Sequence, residues 1–465
     1  MVFSGIVFLY FFLPATLLLY FIVPMPGGSP RYRNLLLLAA SLLFYAWGEP
    51  SYVFLMVVQC LSAWFFGLLM DRYRTKARVI MLISVVISLS GLLFFKYADF
   101  FIQNINRAGA HIPLLRVALP IGISFYTFQI MSYTLDLYRG KTEVQHNLFD
   151  FSTYVALFPQ LIAGPIVRYT DVAVELNRRR HTLPQFSVGA RRFIIGLAKK
   201  VLLANLLGEL VAIYKQNAAP DTLFTWMYLV AYSLHIYFDF SGYSDMAIGL
   251  GHILGFRFPE NFNYPFIADS VSDFWRRWHM SLSGWFRDYV YIPLGGNRVS
   301  AARAALNLLV VWTLTGFWHG ADWNFMIWGF YFGLVLLVEK QFLSGLLEKM
   351  PRPLRHVYVL LIIFLSWTIF DGQGLANTLS ILHSALRPDA AAFFSREALY
   401  YLRSYLVPLS VGVIGCTPLP GRLAGRLAQT KAFTYLEPAA LAALFLVSTA
   451  FIVDGSFNPF IYFRF

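Results

Sequence analysis

Long apolar runs alternate with short basic loops along almost the whole chain, and this pattern predicts a helical membrane protein. A membrane-crossing helix needs about 20 mostly apolar residues. The predicted spans are 3–24, 33–48, 51–70, 79–97, 118–138, 187–214, 222–254, 303–318, 323–345, 357–371, 399–417 and 434–454. Several are marginal in length, so we expect about eleven or twelve transmembrane helices. The predicted fold class is an all-α polytopic membrane protein.

One apolar run, 149–166, departs from this pattern because Pro159, Gly164 and Pro165 interrupt it. Proline removes a helical hydrogen bond, and irregular backbone at membrane depth is tolerated only where protein or a cavity surrounds it. This run therefore predicts a broken or re-entrant helix that is buried in the protein.

The longest polar interruption, 255–300, carries apolar residues at helical spacing. This stripe consists of Val271, Phe274, Trp275, Trp278, Leu282, Trp285, Phe286 and Tyr289. Arg276, Arg277 and Arg287 project from other faces of the same predicted helix. The pattern is typical of helices that lie in the cytoplasmic membrane interface near 265–300. Gly284 is the expected break between two helical pieces.

Composition agrees with a membrane protein, since 58% of the residues are hydrophobic and only 13% are charged. Basic residues cluster in the short loops 31–33, 72–78 and 168–200. All three loops fall on one side if the N-terminus is outside, so that side is predicted to be cytoplasmic. The net charge of +13 therefore indicates membrane orientation rather than nucleic-acid binding. We expect a single integral-membrane domain over 1–465, with the run at 3–23 kept as the first span.

One histidine, His319, lies inside the apolar region 304–338 among Phe317, Trp318 and Trp323. Ionisable residues within membrane segments are costly, so each is a candidate functional residue. The alternative is a neutral histidine that bonds a neighbouring helix. His279 borders the apolar stripe and can point inward, whereas the alternative there is a solvated interfacial side chain.

Two carboxylates, Asp239 and Asp245, lie in another apolar span beside Ser241, Tyr243 and Ser244. Charges at that depth need partners, so they either orient a histidine or arginine or hold helices together. His235 and His252 are interpreted as packing residues. Neither His319 nor His279 has a Cys or His neighbour at ligand spacing, so no metal is predicted. Phosphate-binding glycine loops and the G-x-S-x-G motif are absent from the sequence.

Two motifs resemble the membrane-bound O-acyltransferase (MBOAT) superfamily: Trp318-His319-Gly320 and Asp273-Phe-Trp-Arg-Arg-Trp-His279. Further stretches that resemble its alginate O-acetylation branch are 32–47, 120–129, 158–165, 237–249, 285–298 and 458–465. Together they extend over nearly the whole chain. The segment 274–279 is shared with D-alanyl transfer proteins of teichoic acid modification, so D-alanyl or other acyl transfer is an alternative.

The resemblance implies an MBOAT fold, with a ring of tilted helices around a central funnel. It assigns the family's essential histidine to His319 and its second conserved histidine to His279. It implies an O-acetyltransferase of the bacterial inner membrane that takes acetyl from cytoplasmic acetyl-CoA, with no permanently bound cofactor. A periplasmic SGNH-type O-acetyltransferase is the implied partner, and an exopolysaccharide is the indirect acceptor.

Several roles follow as hypotheses. A neutral His319 would act as general base toward a hydroxyl, while His279 would bind the donor or orient its thioester. The basic segment 168–200, with Arg276 and Arg277, would hold the phosphates of coenzyme A. The other candidates for the funnel or donor site are Trp275, Trp278, Trp318, Asn324, Asp239 and Asp245. Competing hypotheses are a lipid or polysaccharide transporter without chemistry and a scaffold that docks a periplasmic enzyme.

Overall fold

The fold is taken from a computed structural model that describes residues 1–217, 220–371, 374–387 and 393–455, apart from the side chain of Leu375. The stretch 458–465, which contributed to the resemblance, lies outside these residues. Across the described residues every regular element is helical, as the hydrophobic pattern predicts. The predicted all-α fold class is therefore confirmed.

The helices follow one another with short connections. In chain order they are α1 (Leu13–Ile22), α2 (Arg31–Gly48), α3 (Tyr52–Arg72), α4 (Ala77–Leu92), α5 (Ala98–Arg107), α6 (Ile123–Tyr138), α7 (Leu148–Ala156), α8 (Phe158–Leu161), α9 (Tyr169–Asn177), α10 (Leu183–Ala198), α11 (Leu206–Gln216), α12 (Thr222–Leu254), α13 (Val271–Arg277), α14 (Met280–Phe286), α15 (Ala301–His319), α16 (Trp323–Val338), α17 (Ser344–Lys349), α18 (Arg352–Phe370), α19 (Gly374–Ala385), α20 (Arg396–Gly415), α21 (Leu419–Leu427) and α22 (Lys431–Asp454). Five-residue or longer π-helical turns occur at Phe8–Phe12, Leu93–Tyr97, Lys199–Asn205, Arg287–Tyr291 and Glu339–Leu343.

Two compact units are present. The first comprises 1–193 and 244–260, and the second comprises 194–243 and 261–465. Helices α10 and α12 each contribute residues to both units. The single domain expected over 1–465 stays a prediction.

Each predicted span falls on a helix, but the helices differ in their capacity to cross a bilayer. Seven in the described part of the chain are long and apolar enough: Tyr52–Arg72, Arg74–Arg107, Ala301–His319, Trp323–Lys349, Arg352–Phe370, Arg396–Gly415 and Lys431–Asp454. The number is smaller than eleven or twelve because the helices at the other spans are short or less apolar, as α12 is with its polar residues Asp239 and Asp245. Phe8–Ile22 is an example of a short apolar helix, and α2 begins at Arg31 and contains Arg33.

The interrupted run 149–166 forms a broken helix in the first unit, as predicted. Helix α7 ends at Ala156 and the four-residue α8 begins at Phe158. The amide freed at the break is satisfied by a side chain, because Phe158 N donates to Ser41 Oγ at 3.0 Å. Gln160 Nε2 donates to Tyr154 O at 2.7 Å, which stabilises the irregular segment. Residues 153–166, which include the break, are all buried, as irregular backbone in a membrane protein requires.

Helices α15 and α16 of the second unit cross in direct backbone contact. A Cβ atom at Gly316 would lie 2.1 Å from Phe325 O, and one at Gly329 would lie 2.2 Å from Trp312 O. Small residues at helix crossings in membranes allow this approach, which increases van der Waals contact. The crossing fixes the end of α15, where His319 is located.

We expect Gly316→Ala and Gly329→Ala to destabilise the protein, because the added methyl group must displace a backbone carbonyl. Overpacking of this kind typically costs about 1–3 kcal/mol. The measurement is thermal unfolding in detergent. The control is Gly345→Ala in α17, where an added Cβ meets nothing within 4 Å. An unchanged unfolding midpoint in both crossing variants would contradict the close contact.

Candidate active site

His319 is the last residue of α15 and is buried, with 4% of its surface exposed. The helix ends there because Gly320 adopts an extended backbone. Asp322 then caps α16 by accepting a hydrogen bond from Trp323 N at 2.6 Å. The imidazole is surrounded by aromatic rings, with centroid distances of 5.3 Å to Trp328 and 5.5 Å to Phe370.

His279 lies at a sharp break between α13 and α14 and is 1% exposed. Its backbone is left-handed, with φ of 44°, which an L side chain rarely adopts. Its ring meets Phe240 edge-on at 4.6 Å, and the His279 and His319 centroids are 6.5 Å apart. The prediction that His279 points inward is therefore confirmed, and the solvated alternative is wrong. The two histidines belong to one buried cluster.

Segment 261–263 satisfies the backbone groups that this break leaves without helical partners. Asn263 N donates to Arg277 O at 2.9 Å, at the end of α13. Met280 N donates to Asn261 O at 3.0 Å, at the start of α14. The break therefore falls at Trp278–His279, and the expectation of a break at Gly284 is wrong, since Gly284 lies within α14.

The apolar stripe of 271–289 is confirmed, since all eight of its predicted residues are buried. The stripe packs on other helices of the same unit. The ring centroid of Trp275 lies 4.6 Å from that of Trp312 and 4.8 Å from that of Phe332. The ring centroids of Trp278 and Trp367 are 5.4 Å apart. These contacts hold α13 and α14 against protein and thereby fix His279.

Glu339 fixes the other end of α13. Its carboxylate accepts hydrogen bonds from Val271 N at 2.7 Å and Ser272 N at 2.9 Å. A carboxylate at a helix N-terminus satisfies free amides and complements the helix dipole. Glu339 opens the π-helical turn Glu339–Leu343, and it is buried. Sequence reasoning missed this residue, because no local pattern connects it to a helix that begins 68 residues earlier.

A cavity of about 1000 Å³ in the second unit is lined by both histidines. Its inner wall is mostly apolar and includes Trp275, Leu308, Val311 and Trp312. Four basic side chains also line the cavity and are called the basic rim here: Arg276, Arg287, Lys340 and Arg355. The carboxylates of Asp269, Glu339 and Glu348 line the same cavity. The site thus combines two buried imidazoles with charged side chains of both signs, and its basic side chains suit a ligand with an anionic end.

The four residues of the basic rim differ in whether they form ion pairs. Arg355 pairs with Asp269 at 3.2 Å and Arg287 pairs with Asp288 at 2.7 Å. Arg276 makes no ion pair within the described chain, and it is exposed. Lys340 and Arg355 were missed in the sequence. The available signal was their position directly beside apolar spans, where basic residues gather on one side of the membrane.

Some of the predicted donor-site residues line the cavity and others do not. Trp275 and Arg276 line the cavity, whereas Arg277, Trp278, Trp318 and Asn324 are not among its lining residues. Arg277 instead pairs with Asp273 at 2.8 Å. Trp318 packs beside His279 at 6.1 Å, and Asn324 Nδ2 donates to Phe370 O at 3.4 Å. These residues support the walls of the site.

Asp239 and Asp245 have structural partners. Asp239 forms a buried ion pair with Lys200 at 2.6 Å, and both side chains are at most 3% exposed. In the first unit Asp245 pairs at 2.9 Å with Arg192, which also pairs with Glu260. Of the two roles considered for these carboxylates, the structure therefore supports the one that holds helices together. Lys200 and Arg192, both from the basic segment 168–200, are engaged by these acids.

His235 has a packing role, as predicted. Its Nδ1 atom lies 2.7 Å from Ala204 O, and its ring occupies a buried position on α12. It does not line the cavity that holds His279 and His319.

His279 lies outside the membrane-spanning helices, and burial lowers the pKa of its imidazole well below the ordinary value of 6.5. The neighbouring His319 lowers this pKa further, since two positive charges at this separation repel. His279 is therefore neutral at pH 7.

The helical fold, its membrane-crossing segments and the buried histidine pair define an integral-membrane protein with a cavity that both imidazoles line. The model of the membrane-bound O-acyltransferase family, MBOAT, matches residues 42–382, and the chain belongs to this family. It is thus an O-acyltransferase and a multi-pass membrane protein. Both His279 and His319 lie within the matched residues.

Three relatives illustrate the similarity. The chain is 39% identical to the probable alginate O-acetylase AlgI of Azotobacter vinelandii, over 100% of each chain. It is 43% identical to the probable alginate O-acetylase AlgI of Pseudomonas aeruginosa, over 81% of this chain and 73% of the relative. It is 30% identical to the peptidoglycan O-acetyltransferase of Helicobacter pylori, over 100% of this chain and 98% of the relative.

We expect the protein to lose stability as the pH falls below about 6.5, in part through His279. The unfolded His279 takes up a proton near its ordinary pKa, whereas the folded side chain stays neutral. The folded state then binds fewer protons, so one such group lowers the free energy of unfolding by up to about 1.4 kcal/mol per pH unit. This loss is absent above about pH 7.5.

The measurement compares unfolding in detergent between pH 7.5 and 5.5 for the wild type and His279→Gln. The variant should show a shallower dependence on pH, whatever its absolute stability. His383→Gln is the control, because it replaces an exposed histidine on α19 that does not line the cavity. Equal slopes for wild type and His279→Gln would show that His279 titrates normally in the folded protein.

Proposed function

We propose that the protein takes an acetyl group from cytoplasmic acetyl-CoA and delivers it across the bacterial inner membrane for O-acetylation of an alginate-like exopolysaccharide. The observation that carries this proposal is a cavity that the four residues of the basic rim and both buried histidines line together. The names of the relatives supply the acyl group, since two are called alginate O-acetylases and the third a peptidoglycan O-acetyltransferase.

The cavity suits a donor with the chemistry of acetyl-CoA. Its phosphates would bind the basic rim, where arginine forms strong charge-assisted hydrogen bonds. The apolar wall would contact the arm that carries the thioester. The lining of α15 runs from Ala301 to His319, about 27 Å along the helix at 1.5 Å per residue. A long, narrow donor fits this shape better than a compact one.

His319 would act as the general base. The acceptor oxygen attacks the thioester carbonyl carbon while His319 takes the hydroxyl proton. The C–S bond then breaks, and the departing thiolate receives that proton, so thiol and ester are the products. Proton transfer by a positioned base typically contributes about 10²–10⁴-fold, and holding the reactants together supplies further acceleration.

The properties of the donor indicate on which side of the membrane the acceptor lies. Coenzyme A is bulky and charged and does not cross a bilayer, whereas an acetyl group is small and neutral. The donor would therefore remain on the cytoplasmic side, and the acetyl group would pass to an acceptor on the other side. We propose a periplasmic SGNH-type O-acetyltransferase as the partner that places the group on the polysaccharide.

Replacement of His319 by Ala should abolish acetyl transfer while the protein still accumulates in the membrane, because the change removes the base from a preformed pocket. The measurement is release of free thiol from radiolabelled acetyl-CoA by purified protein in vesicles, with polysaccharide O-acetylation in cells as the second readout. His383→Ala is the control on an exposed histidine. Full activity in a normally expressed His319→Ala protein would refute the assignment.

Replacement of Arg276 by Ala should raise KM for acetyl-CoA with little change in kcat. Loss of one charge-assisted hydrogen bond at an exposed site corresponds to about a tenfold change. The matched control is Arg277→Ala on the same helix, because Arg277 pairs with Asp273 and does not line the cavity. Equal KM changes in both variants would place the donor elsewhere.

A further inference from the structure

Asn261 is buried beside the break that carries His279, with 0% of its surface exposed. Its side-chain oxygen, Oδ1, lies 3.1 Å from His279 Nδ1. The same oxygen accepts hydrogen bonds from Ser281 N at 3.3 Å and from Ser281 Oγ at 2.9 Å. Its backbone oxygen accepts from Met280 N at 3.0 Å. One asparagine thus contacts His279 and both residues that follow it.

These contacts determine which amide atom of Asn261 faces His279. A backbone N–H group can only donate, so the atom that bonds Ser281 N must be the amide oxygen and not the amide nitrogen. That oxygen is also the neighbour of His279 Nδ1. Because an oxygen without hydrogen can only accept, Nδ1 must carry the proton. A neutral imidazole has one N–H, so Nε2 is then the unprotonated atom.

The other ring nitrogen of His279, Nε2, is buried and has no hydrogen-bond partner within the described residues. His279 lines the cavity together with His319. Buried polar atoms are nearly always bonded, so an isolated acceptor in a cavity indicates a ligand group that donates to it.

We propose that Asn261 is a positioning residue that holds His279 in its Nδ1–H tautomer, so that Nε2 accepts a hydrogen bond from a substrate O–H or N–H group. The inference rests on the proposed acyl transfer in this cavity and adds a residue that touches neither donor nor acceptor. Metal-bound and catalytic histidines are oriented in the same way, because a hydrogen bond at one ring nitrogen sets the protonation of the other.

This tautomer restricts what His279 does. An unprotonated nitrogen cannot donate to the thioester carbonyl oxygen, so His279 does not polarise that group in the resting site. The substrate groups that match Nε2 are donors: an amide N–H of the arm of the donor or the hydroxyl of the acceptor. His279 thus recognises a hydrogen-bond donor while His319 serves as the base.

The tautomer is directly measurable in the full-length protein. We expect solid-state ¹⁵N NMR of histidine-labelled protein in bilayers, with His279→Gln used to assign the resonance, to show His279 protonated on Nδ1 at pH 7. Asn261→Leu should convert it to a mixture or to the Nε2–H form. Observation of Nε2–H in the wild type would overturn the proposal. This readout requires no turnover, so it is independent of the proposed activity.

Kinetics test the functional consequence. Asn261→Leu should lower kcat by at least about tenfold while KM for acetyl-CoA changes little, because the wrong tautomer of His279 weakens catalytic hydrogen bonding.

Asn261→Asp should retain activity, since a carboxylate also accepts a hydrogen bond from His279 Nδ1. The new negative charge should raise the pKa of His279 and move the acidic limb of the pH–rate profile upward by about 1–3 units. Among the described residues, His319 is the titratable group whose charge acts on His279, and α12 contributes the neutral Phe240 ring.

Ser281→Ala is the control, because it removes one donor to Asn261 and leaves the bond to His279. Wild-type kcat and pH profile in both Asn261 variants would overturn the positioning role. A loss of kcat in Asn261→Leu that Asn261→Asp does not rescue would indicate a structural role instead and would also overturn it. Failure of the proposed function appears separately, as full activity in His319→Ala.

Discussion

The backbone contact between α15 and α16 is the constraint on which the site depends. Gly316 and Gly329 lie against each other, so neither helix can shift without losing contact along the crossing. His319 follows Gly316 by three residues, and Trp328, which faces the His319 ring, immediately precedes Gly329. The same two glycines therefore fix both the imidazole and part of its aromatic surroundings. The crossing therefore fixes the position of the proposed general base.

The basic side chains and the histidines of the cavity lie in different surroundings. Its basic side chains lie toward the rim, where solvent reduces the cost of charge, while its histidines lie among aromatic rings. Neutral imidazoles tolerate such surroundings, whereas ionised groups require partners. Buried ionised residues of the second unit obey the same rule: Asp239 is paired with Lys200, and Glu339 is satisfied by two backbone amides.

The sequence predicted those features that depend on local pattern. The helices, the broken run near Phe158 and the buried stripe of 271–289 follow from periodicity and from proline, and the structure agrees. The long-range features were not predictable in this way. Asn261 contacts His279, 18 positions away, and the helix break falls at Trp278–His279 rather than at the glycine that propensity favours. Arg276 and Arg277 illustrate the second limit: adjacent helical residues point about 100° apart, and only the packing of α13 decides which one faces the cavity.

The ion pair of Lys200 with Asp239 has a consequence for how the chain enters a bilayer. A lone charge at the middle of a membrane helix raises the insertion free energy by about 2.5–3.5 kcal/mol. Lys200 lies in the π-helical turn Lys199–Asn205, and Asp239 lies on α12, later in the chain. Neither segment is among the seven helices that are long and apolar enough to cross a bilayer. Each charge therefore offsets the burial cost of the other, and both segments are suited to membrane burial only once they have packed together.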